Sequence, residues 1–239
     1  FDIFISDMQG HGDTDHGGRF HGWNRTAELA LEAWRAQSDR FGAVAEFAVG
    51  HSFGGVITAL MLAQAPEPFR RAVLLDPVLF TPLMIGAMAL SDVVGLYRRN
   101  TLARKARARR RHWPDRAAAY ANLHERGMFK GWTADALQAY VDSALQDRAE
   151  GGVELKCRPS REAEIFGSFP RRLWTSLAKV RIPVNVEYGA QTYPFVASAV
   201  HRWRSINPWI SVAQVPGGHC FMQQDPPAAA RRIKAFLLE

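Results

Sequence analysis

A serine flanked by glycines is the residue of this sequence best suited to nucleophilic chemistry. The segment Gly50–Gly54 reads GHSFG and matches the pattern G-x-S-x-G, with Ser52 at its centre and Gly55 after it. The segment lies between a predicted strand and a predicted helix. Glycines there permit a sharp, strained turn that lifts the serine hydroxyl above a sheet. The segment has neither the lysine nor the spacing of a phosphate-binding loop, so it predicts a nucleophilic Ser52.

A serine hydroxyl is a weak nucleophile and needs a base, and His219 is the histidine best placed to act as one. It lies in PGGHCF, directly after the last predicted strand. The two glycines before it allow the loop to fold back towards Ser52. The alternative is a loop histidine exposed to water. His51 is adjacent to Ser52 in sequence, but its side chain is expected to point away from the turn.

A second group of histidines and carboxylates raises the alternative of a metal site. The group lies in the Gly-rich segment after residue 7 and comprises His11, His16, His21, Asp13 and Asp15. Its spacing matches no standard ligand pattern, so we expect no metal there.

The elements that must position Ser52 and His219 alternate between strand and helix. This alternation predicts an α/β protein, with a mostly parallel sheet covered by helices on both faces. The predicted strands are 1–7, 45–51, 71–77, 182–189 and 209–215, and the predicted helices include 24–41, 56–64, 195–206 and one from Pro226.

The alternation breaks between residues 78 and 180. This interval reads as mainly helical, with helices at 115–127 and at 133–147, where Thr133 is the expected N-cap. A brief extended piece is expected at 150–157. About a hundred residues without regular strands predict an inserted helical cap. We therefore expect a core domain made of residues 1–77 and 181–239, with the cap at 78–180. Its candidate substrate contacts are Phe80, Met84, Met128 and Trp132, and the alternative is that these residues only pack the cap.

The chain has 239 residues and a formal net charge of +7, much of it in the run Arg98–Trp113. We expect this run to be a solvated helix face. Such runs are also typical of proteins that bind nucleic acid or an anionic membrane surface. No recognisable nucleic-acid-binding fold accompanies the run, so we expect no nucleic-acid partner.

Three further features concern membrane crossing, the cysteines and the first residues of the sequence. The longest apolar stretch, near residues 78–90, is too short to span a membrane. Cys157 and Cys220 could pair, but two free thiols in a reducing compartment are the simpler interpretation, which predicts a cytoplasmic protein. The sequence opens in a predicted buried strand, so we expect further strands of the sheet upstream of Phe1.

The motifs GHSFGG, DMQGHGDTD, LLDP and PGGHCF together resemble the α/β-hydrolase superfamily, and the resemblance covers nearly the whole chain. It implies a Ser–His–acid triad in that chain order, a cap after the sixth strand, and no metal or organic cofactor. It also implies that the backbone N–H of Phe53 donates to the oxyanion, with a second donor upstream of Phe1. The family pattern D-x-R-G-H-G-x-S departs here at Gln9 and Thr14.

The triad acid is the main departure from the family pattern. The acid usually follows the seventh strand as G-x-x-D, but here Gly189 leads to Thr192 and no carboxylate is present. Glu187 lies inside the strand. Asp76 ends the preceding sheet strand, and some members of the superfamily place the acid there. We therefore predict that Asp76 is the acid, the alternative being a structural carboxylate that binds the turn with Pro77.

Together these features predict a carboxylesterase-like serine hydrolase that acts on a small, apolar ester or acyl substrate. A serine at the turn argues against the dehalogenases and epoxide hydrolases of the superfamily, which use aspartate. A C–C bond hydrolase or lyase with the same triad remains an alternative. A hydrolase-like binding protein without activity is another.

Overall fold

The computed structural model describes residues 1–65 and 67–239. The helices are α1 (Trp23–Arg35), α2 (Ser52–Gln64), α3 (Pro82–Val93), α4 (Thr101–Arg107), α5 (Arg116–Leu123), α6 (Ala134–Ala144), α7 (Pro159–Phe166), α8 (Leu173–Leu177), α9 (Pro194–Ile206), α10 (Phe221–Gln224) and α11 (Pro226–Leu238). The strands are β1 (Glu46–His51), β2 (Phe69–Leu75), β3 (His112–Trp113), β4 (Leu145–Asp147), β5 (Val153–Leu155), β6 (Val184–Gly189) and β7 (Ile210–Val215). Short 3-10 turns lie at Ser38–Phe41, Tyr97–Arg99 and Gly127–Phe129.

The chain divides into two compact units. The first unit comprises Phe1–Ser6, Asn24–Ile85 and Pro170–Glu239, and the second comprises Asp7–Trp23 and Gly86–Phe169. The sequence-based division into 1–77, 78–180 and 181–239, with the middle part as a cap, stays a prediction.

The first unit is built on a parallel sheet in the order β1-β2-β6-β7. All its strands therefore end at the same edge, where the residues that follow them meet. Side chains alternate between the two faces of a strand, and both faces of β2 are buried at its carboxyl end. The predicted α/β fold, with a parallel sheet and flanking helices, is confirmed.

Burial of apolar side chains on the sheet explains why the helices pack there. Val73 and Leu75 of β2 join Val215 of β7 in a buried cluster with Phe221 and Leu237, which belong to α10 and α11. Helix α2 is apolar along its length and packs against β1 and β2. Because it is apolar on all sides, it is stable only where it is buried, and most of its side chains are.

The predicted strand at residues 1–7 is wrong, because these residues adopt no strand in the structure. A strand needs a hydrogen-bonded neighbour, and in the described part of the chain β1 pairs only with β2. The segment is held by side chains instead: the ring of Phe1 lies 5.9 Å from that of Phe47, and the ring of Phe4 lies 5.4 Å from that of Trp34. Its apolar residues alone do not supply a pairing partner.

The second unit has a core of its own. An antiparallel sheet in the order β3-β5-β4 packs with α5 and α6 around a buried cluster that includes Trp113, Leu137 and Val153. β5 lies within the extended piece expected at 150–157, whereas β3 and β4 correct the expectation of an interval without regular strands. These strands have two or three residues each, too few to produce an alternating pattern in the sequence. The N-cap at Thr133 is confirmed, since its hydroxyl accepts from the N–H of Ala136 at 3.2 Å.

Two further observations concern membrane-crossing helices and the cysteines. Among residues 1–65 and 67–239, no helix is long and apolar enough to cross a membrane. Cys157 and Cys220 are both free thiols.

Candidate active site

Ser52 lies on a strained turn between β1 and α2. Its φ angle is +54°, in the left-handed region that non-glycine residues seldom adopt. The turn is possible because Gly50 has no side chain. A Cβ added there would lie 2.5 Å from Thr58 Oγ1 and 2.7 Å from the carbonyl oxygen of Gly54. These close contacts explain the glycine at position 50, and the turn presents the Ser52 hydroxyl at the carboxyl edge of the sheet.

His219 lies in the loop after β7, with its ring against Ser52. The ring Nε2 is 2.8 Å from Ser52 Oγ. The loop is fixed by Gln224, whose side-chain oxygen accepts from the N–H of Gly218 at 3.1 Å. It also packs tightly on the end of β6, where a Cβ at Gly189 would collide with the carbonyl oxygen of Gly218. The absence of side chains at these positions is what lets the loop approach the sheet edge.

Asp76 follows β2 and is fully buried, with a φ angle of +45°. Its Oδ1 is 2.8 Å from His219 Nδ1 and accepts from the Thr192 hydroxyl at 2.6 Å. Its Oδ2 accepts from the backbone N–H of Gly189 at 2.8 Å. Three donors therefore surround the carboxylate, which compensates the removal of its charge from water.

The partners of the His219 ring define its tautomer. A carboxylate only accepts hydrogen bonds, so the nitrogen that faces Asp76 carries the proton. The neutral ring then presents an unprotonated Nε2 to the Ser52 hydroxyl. This is the arrangement that a general base needs, because Nε2 can take the serine proton while Asp76 stabilises the resulting positive charge.

Thr192 is a site residue that sequence reasoning did not single out. It occupies the last position of the stretch Gly189–Thr192, where the family pattern has its acid. No carboxylate reaches His219 from this position. The Thr192 hydroxyl instead donates a hydrogen bond to Asp76 Oδ1. Two features of the sequence together could have indicated this contact. A hydrogen-bonding side chain, Thr192, occupies the position where the family has its acid, and a carboxylate, Asp76, ends the neighbouring strand.

Glu187, the other carboxylate near this edge, has a different partner. It is almost fully buried in β6, and its Oε2 lies 3.0 Å from Nε of Arg232 on α11. Its backbone carbonyl accepts from the N–H of Asp76 at 2.7 Å. The side chain therefore neutralises an arginine, and the main chain supports the turn that carries Asp76.

His51 stabilises the loop that carries His219 through a hydrogen bond to its backbone. Its Nε2 is 3.0 Å from the backbone carbonyl oxygen of His219, and the two rings lie 4.9 Å apart. A carbonyl oxygen only accepts, so Nε2 of His51 carries a proton and donates it. Burial, together with the nearby His219, lowers the pKa of His51 from 6.5 to about 4. His51 is therefore neutral at pH 7 and acts as a hydrogen-bond donor, not as a charge.

The candidate oxyanion donor and the candidate substrate contacts have different surroundings. Phe53 is the second residue of α2, at the end of the helix where the dipole favours negative charge. Phe80 is buried and stacks on Phe195, with ring centroids 5.7 Å apart. Phe195 in turn stacks on Tyr193, whose ring lies 5.2 Å from that of His219. An aromatic wall thus leads from Phe80 to His219.

The remaining candidate contacts do not belong to this wall. Met84 is half-buried on α3. Met128 is 48% exposed in a 3-10 turn of the second unit. Trp132 packs against the core of that unit, with its ring 4.9 Å from the ring of Phe129. Their contact with substrate stays a prediction.

The histidine- and aspartate-rich loop of the second unit is organised by hydrogen bonds to its backbone. The side-chain amide of Gln9 donates to the carbonyl oxygens of His16 and Gly17 at 3.0 Å each. The guanidinium of Arg161 donates to the carbonyls of His16 and Gly18. Within the described ranges, no group of three or more histidine, cysteine or acidic side chains is arranged to hold a metal ion.

Comparison with known proteins adds a family and a set of related folds. A sequence model of the alpha/beta hydrolase family matches residues 2–232. The structure of E-2-(acetamidomethylene)succinate hydrolase aligns with 98% of this chain and 80% of its own, at 23% identity and a TM-score of 0.77. The M. tuberculosis esterase Rv0045c aligns with 98% of this chain and 75% of its own, at 19% identity and a TM-score of 0.70.

The thioesterase domain from the curacin biosynthetic pathway also aligns, with 95% of this chain and 78% of its own, at 16% identity and a TM-score of 0.67. At these identities the structural likeness establishes the fold and no more. No curated protein matches the chain.

Proposed function

Because the chain belongs to the alpha/beta hydrolase family, we propose that it is a serine hydrolase that cleaves a carboxylic ester or a related acyl compound through Ser52, His219 and Asp76. One observation carries the proposal. A continuous hydrogen-bonded chain joins Ser52 Oγ to His219 Nε2 and His219 Nδ1 to Asp76 Oδ1, each at 2.8 Å. A nucleophile, a base and an orienting acid in this order are what acyl transfer requires.

In the proposed reaction, Ser52 Oγ attacks the acyl carbonyl carbon while His219 Nε2 takes the hydroxyl proton. The tetrahedral intermediate collapses when the imidazolium donates that proton to the leaving group, and an acyl-enzyme remains. A water molecule then attacks the acyl carbon, with His219 again as the base, and Ser52 leaves as the alcohol. Asp76 stays ionised throughout and holds the ring in the productive tautomer.

The N-terminus of α2 is the proposed source of stabilisation for the negative charge on the carbonyl oxygen. Ser52 is the first residue of this helix, so the oxyanion forms next to its positive end. The backbone N–H of Phe53 is the proposed donor. Loss of one such donor typically lowers kcat by about 10² to 10³.

We propose that the acyl or alkyl group of the substrate is apolar. The aromatic wall formed by Phe80, Phe195 and Tyr193 approaches His219 from one side, and such a surface favours apolar groups. One of the solved structures that share the fold is described as an esterase and another as a thioesterase domain. Oxygen esters and thioesters are therefore the first substrate classes to test.

A panel of p-nitrophenyl esters from acetate to octanoate tests the proposal. The wild-type protein is expected to release p-nitrophenol, and Ser52→Ala is expected to lose nearly all of this activity. Ser205→Ala changes an exposed serine at the end of α9 in the same way and serves as the matched control. Unchanged turnover in Ser52→Ala would rule out the serine mechanism.

Adding thioesters and a 1,3-diketone to the panel separates the alternatives. A C–C bond hydrolase or a lyase with these residues would leave esters and thioesters intact but cleave a 1,3-diketone or eliminate a leaving group, and Ser52→Ala would abolish that reaction. A binding protein without activity would turn over none of the compounds. Cleavage of the diketone or elimination without ester hydrolysis, or no turnover of any compound, would contradict the proposed ester or acyl substrate.

A further inference from the structure

The segment Gly86–Arg110 of the second unit leaves an unusual number of apolar side chains in contact with solvent. Helix α3, which ends in this segment, has no buried side chain. Leu90 is 76% exposed and Val93 is 81% exposed, and Val94 and Leu96 follow at 69% and 63%. Isolated exposed apolar residues are common, but several within one short segment mark an interaction surface.

The next helix of the same segment adds positive charge to this surface. Helix α4 packs through Ala103 and Ala106 against Ala163 of α7, so its opposite face is directed to solvent. Among the described residues, the basic side chains of that face have no ion-pair partner. They are Arg104, Lys105 and Arg107, and all three are exposed.

The excess of positive charge extends beyond α4. Asp92 is the only acidic residue between positions 77 and 114, and it is paired with Arg98 at 3.1 Å. Towards the end of the basic run the side chains turn inward: Arg109 pairs with Glu162 at 3.2 Å, and Arg111 pairs with Glu154 at 2.9 Å. Arg109 and Arg111 are therefore neutralised within the unit, whereas Arg104, Lys105, Arg107 and Arg110 are exposed.

We propose that Gly86–Arg110, which we call the basic-apolar segment, binds the surface of a lipid membrane with anionic headgroups. Apolar side chains of such a segment enter the boundary between headgroups and acyl chains, and lysines and arginines beside them bind the negative headgroups. Binding of this kind lies on the membrane and needs no membrane-crossing helix. It is also independent of the chemistry proposed for Ser52.

The combination of charge and apolar exposure favours this occupant over two others. A nucleic acid would neutralise Arg104, Lys105 and Arg107 but would leave Leu90 and Val93 in water. A second copy of the chain, docked symmetrically through the same surface, would place one unpaired basic helix against another, and like charges repel. An anionic lipid surface would accommodate the apolar side chains and also bind the basic ones.

Co-sedimentation with 100-nm vesicles tests the proposal on the full chain. Vesicles of phosphatidylcholine with 30% phosphatidylglycerol are compared with vesicles of phosphatidylcholine alone, at low and high salt. The wild-type protein is expected to bind the anionic vesicles and to be released by salt. Each basic residue near such a surface contributes about 5-fold, so Arg104→Gln, Lys105→Gln and Arg107→Gln together are expected to weaken binding by about 100-fold.

A second variant tests the apolar half, and a matched control tests the location. Leu90→Gln with Val93→Gln is expected to weaken binding to anionic vesicles at every salt concentration. The control removes the same charge elsewhere, through Arg204→Gln, Arg231→Gln and Lys234→Gln on α9 and α11, and is expected to retain most of the binding. Hydrolysis of a short, water-soluble ester should be the same in all of them.

Three results would overturn the proposal. The first is equal binding, or none, to both kinds of vesicle. The second is salt-sensitive binding to double-stranded DNA that the Leu90 and Val93 changes leave intact, which would identify a nucleic-acid surface. The third is a wild-type dimer in sedimentation equilibrium that these two changes convert into a monomer, which would identify an interface between copies.

Discussion

Replacement of Asp76 by asparagine should disable the proposed site while leaving the size and shape of the side chain almost unchanged. In the structure, Oδ2 accepts from the backbone N–H of Gly189, and Oδ1 faces His219 Nδ1 and the Thr192 hydroxyl. An amide has only one oxygen. The Gly189 N–H is a fixed donor, so the amide oxygen must face it, and the amide NH₂ must then face His219.

An NH₂ group that faces Nδ1 of His219 selects the wrong tautomer of the ring. Nδ1 must then accept a hydrogen bond, so Nε2 carries the proton and can no longer accept one from Ser52. In the best-studied triad this change lowers kcat by about 10⁴. That factor corresponds to about 5 kcal/mol of transition-state stabilisation, and we expect a loss of the same order here.

The assay is steady-state hydrolysis of a short p-nitrophenyl ester, with the free energy of unfolding measured in urea to show that the variant is folded. Glu187→Gln is the matched control, because it makes the same acid-to-amide change in a buried carboxylate of the neighbouring strand whose partner is Arg232. It is expected to change kcat by no more than a few-fold. A folded Asp76→Asn variant with kcat within 10-fold of wild type would show that the Asp76 carboxylate does not set the tautomer of His219.

Two further predictions concern the residues around the acid and the base. Thr192→Val removes one of the donors to the buried Asp76 carboxylate and should lower the free energy of unfolding by about 1.5–3 kcal/mol, whereas Thr192→Ser should retain most of it; equal stability of the two variants would contradict this. His51 has its pKa lowered from 6.5 to about 4 by burial and by His219, so the unfolded state binds a proton between these values that the folded state does not. Its contribution to stability is therefore complete above pH 6.5 and falls by about 1.4 kcal/mol per pH unit as the pH decreases towards 4. Urea titrations from pH 7 to pH 4.5 should show a shallower dependence for His51→Asn, and identical slopes would show that His51 titrates normally.

The sheet and the position of Ser52 could be predicted because their signals are local. Strands that alternate with helices predict a parallel sheet, and GHSFGG between a strand and a helix predicts the turn that carries Ser52. The same logic extends to Asp76 and His219, which follow other strands of the sheet. Parallel strands bring their carboxyl ends to one edge, so residues up to 167 positions apart lie within hydrogen-bond distance.

Features without a local signal could not be predicted. The strands β3 and β4 are too short for a period of two to be recognised, so the interval 78–180 reads as helical apart from the extended piece at 150–157. For the same reason the predicted helix 133–147 extends over Leu145–Asp147, whereas the structure pairs these residues with β5. Residues 1–7 have the composition of a strand, but pairing depends on a neighbour and not on composition.

The side-chain contacts of Thr192 and of the basic run Arg98–Trp113 could be predicted only in part. The sequence shows that Thr192 is not a carboxylate, but only the folded chain shows that its hydroxyl reaches Asp76. In the basic run, the inward ion pairs of Arg109 and Arg111 depend on Glu162 and Glu154, which lie 53 and 43 positions away. Tertiary contacts of this range carry no signal in the run itself.

Covalent labelling with a fluorophosphonate tests directly whether Ser52 is an activated nucleophile, because it requires no knowledge of the substrate. Attack by Ser52 Oγ on phosphorus displaces fluoride and leaves a stable adduct. We expect one adduct per chain by intact-mass measurement, located by peptide mapping on Ser52, and absent from Ser52→Ala and from the urea-unfolded protein. A folded wild-type protein that stays unlabelled, or one labelled at another serine, would contradict this expectation.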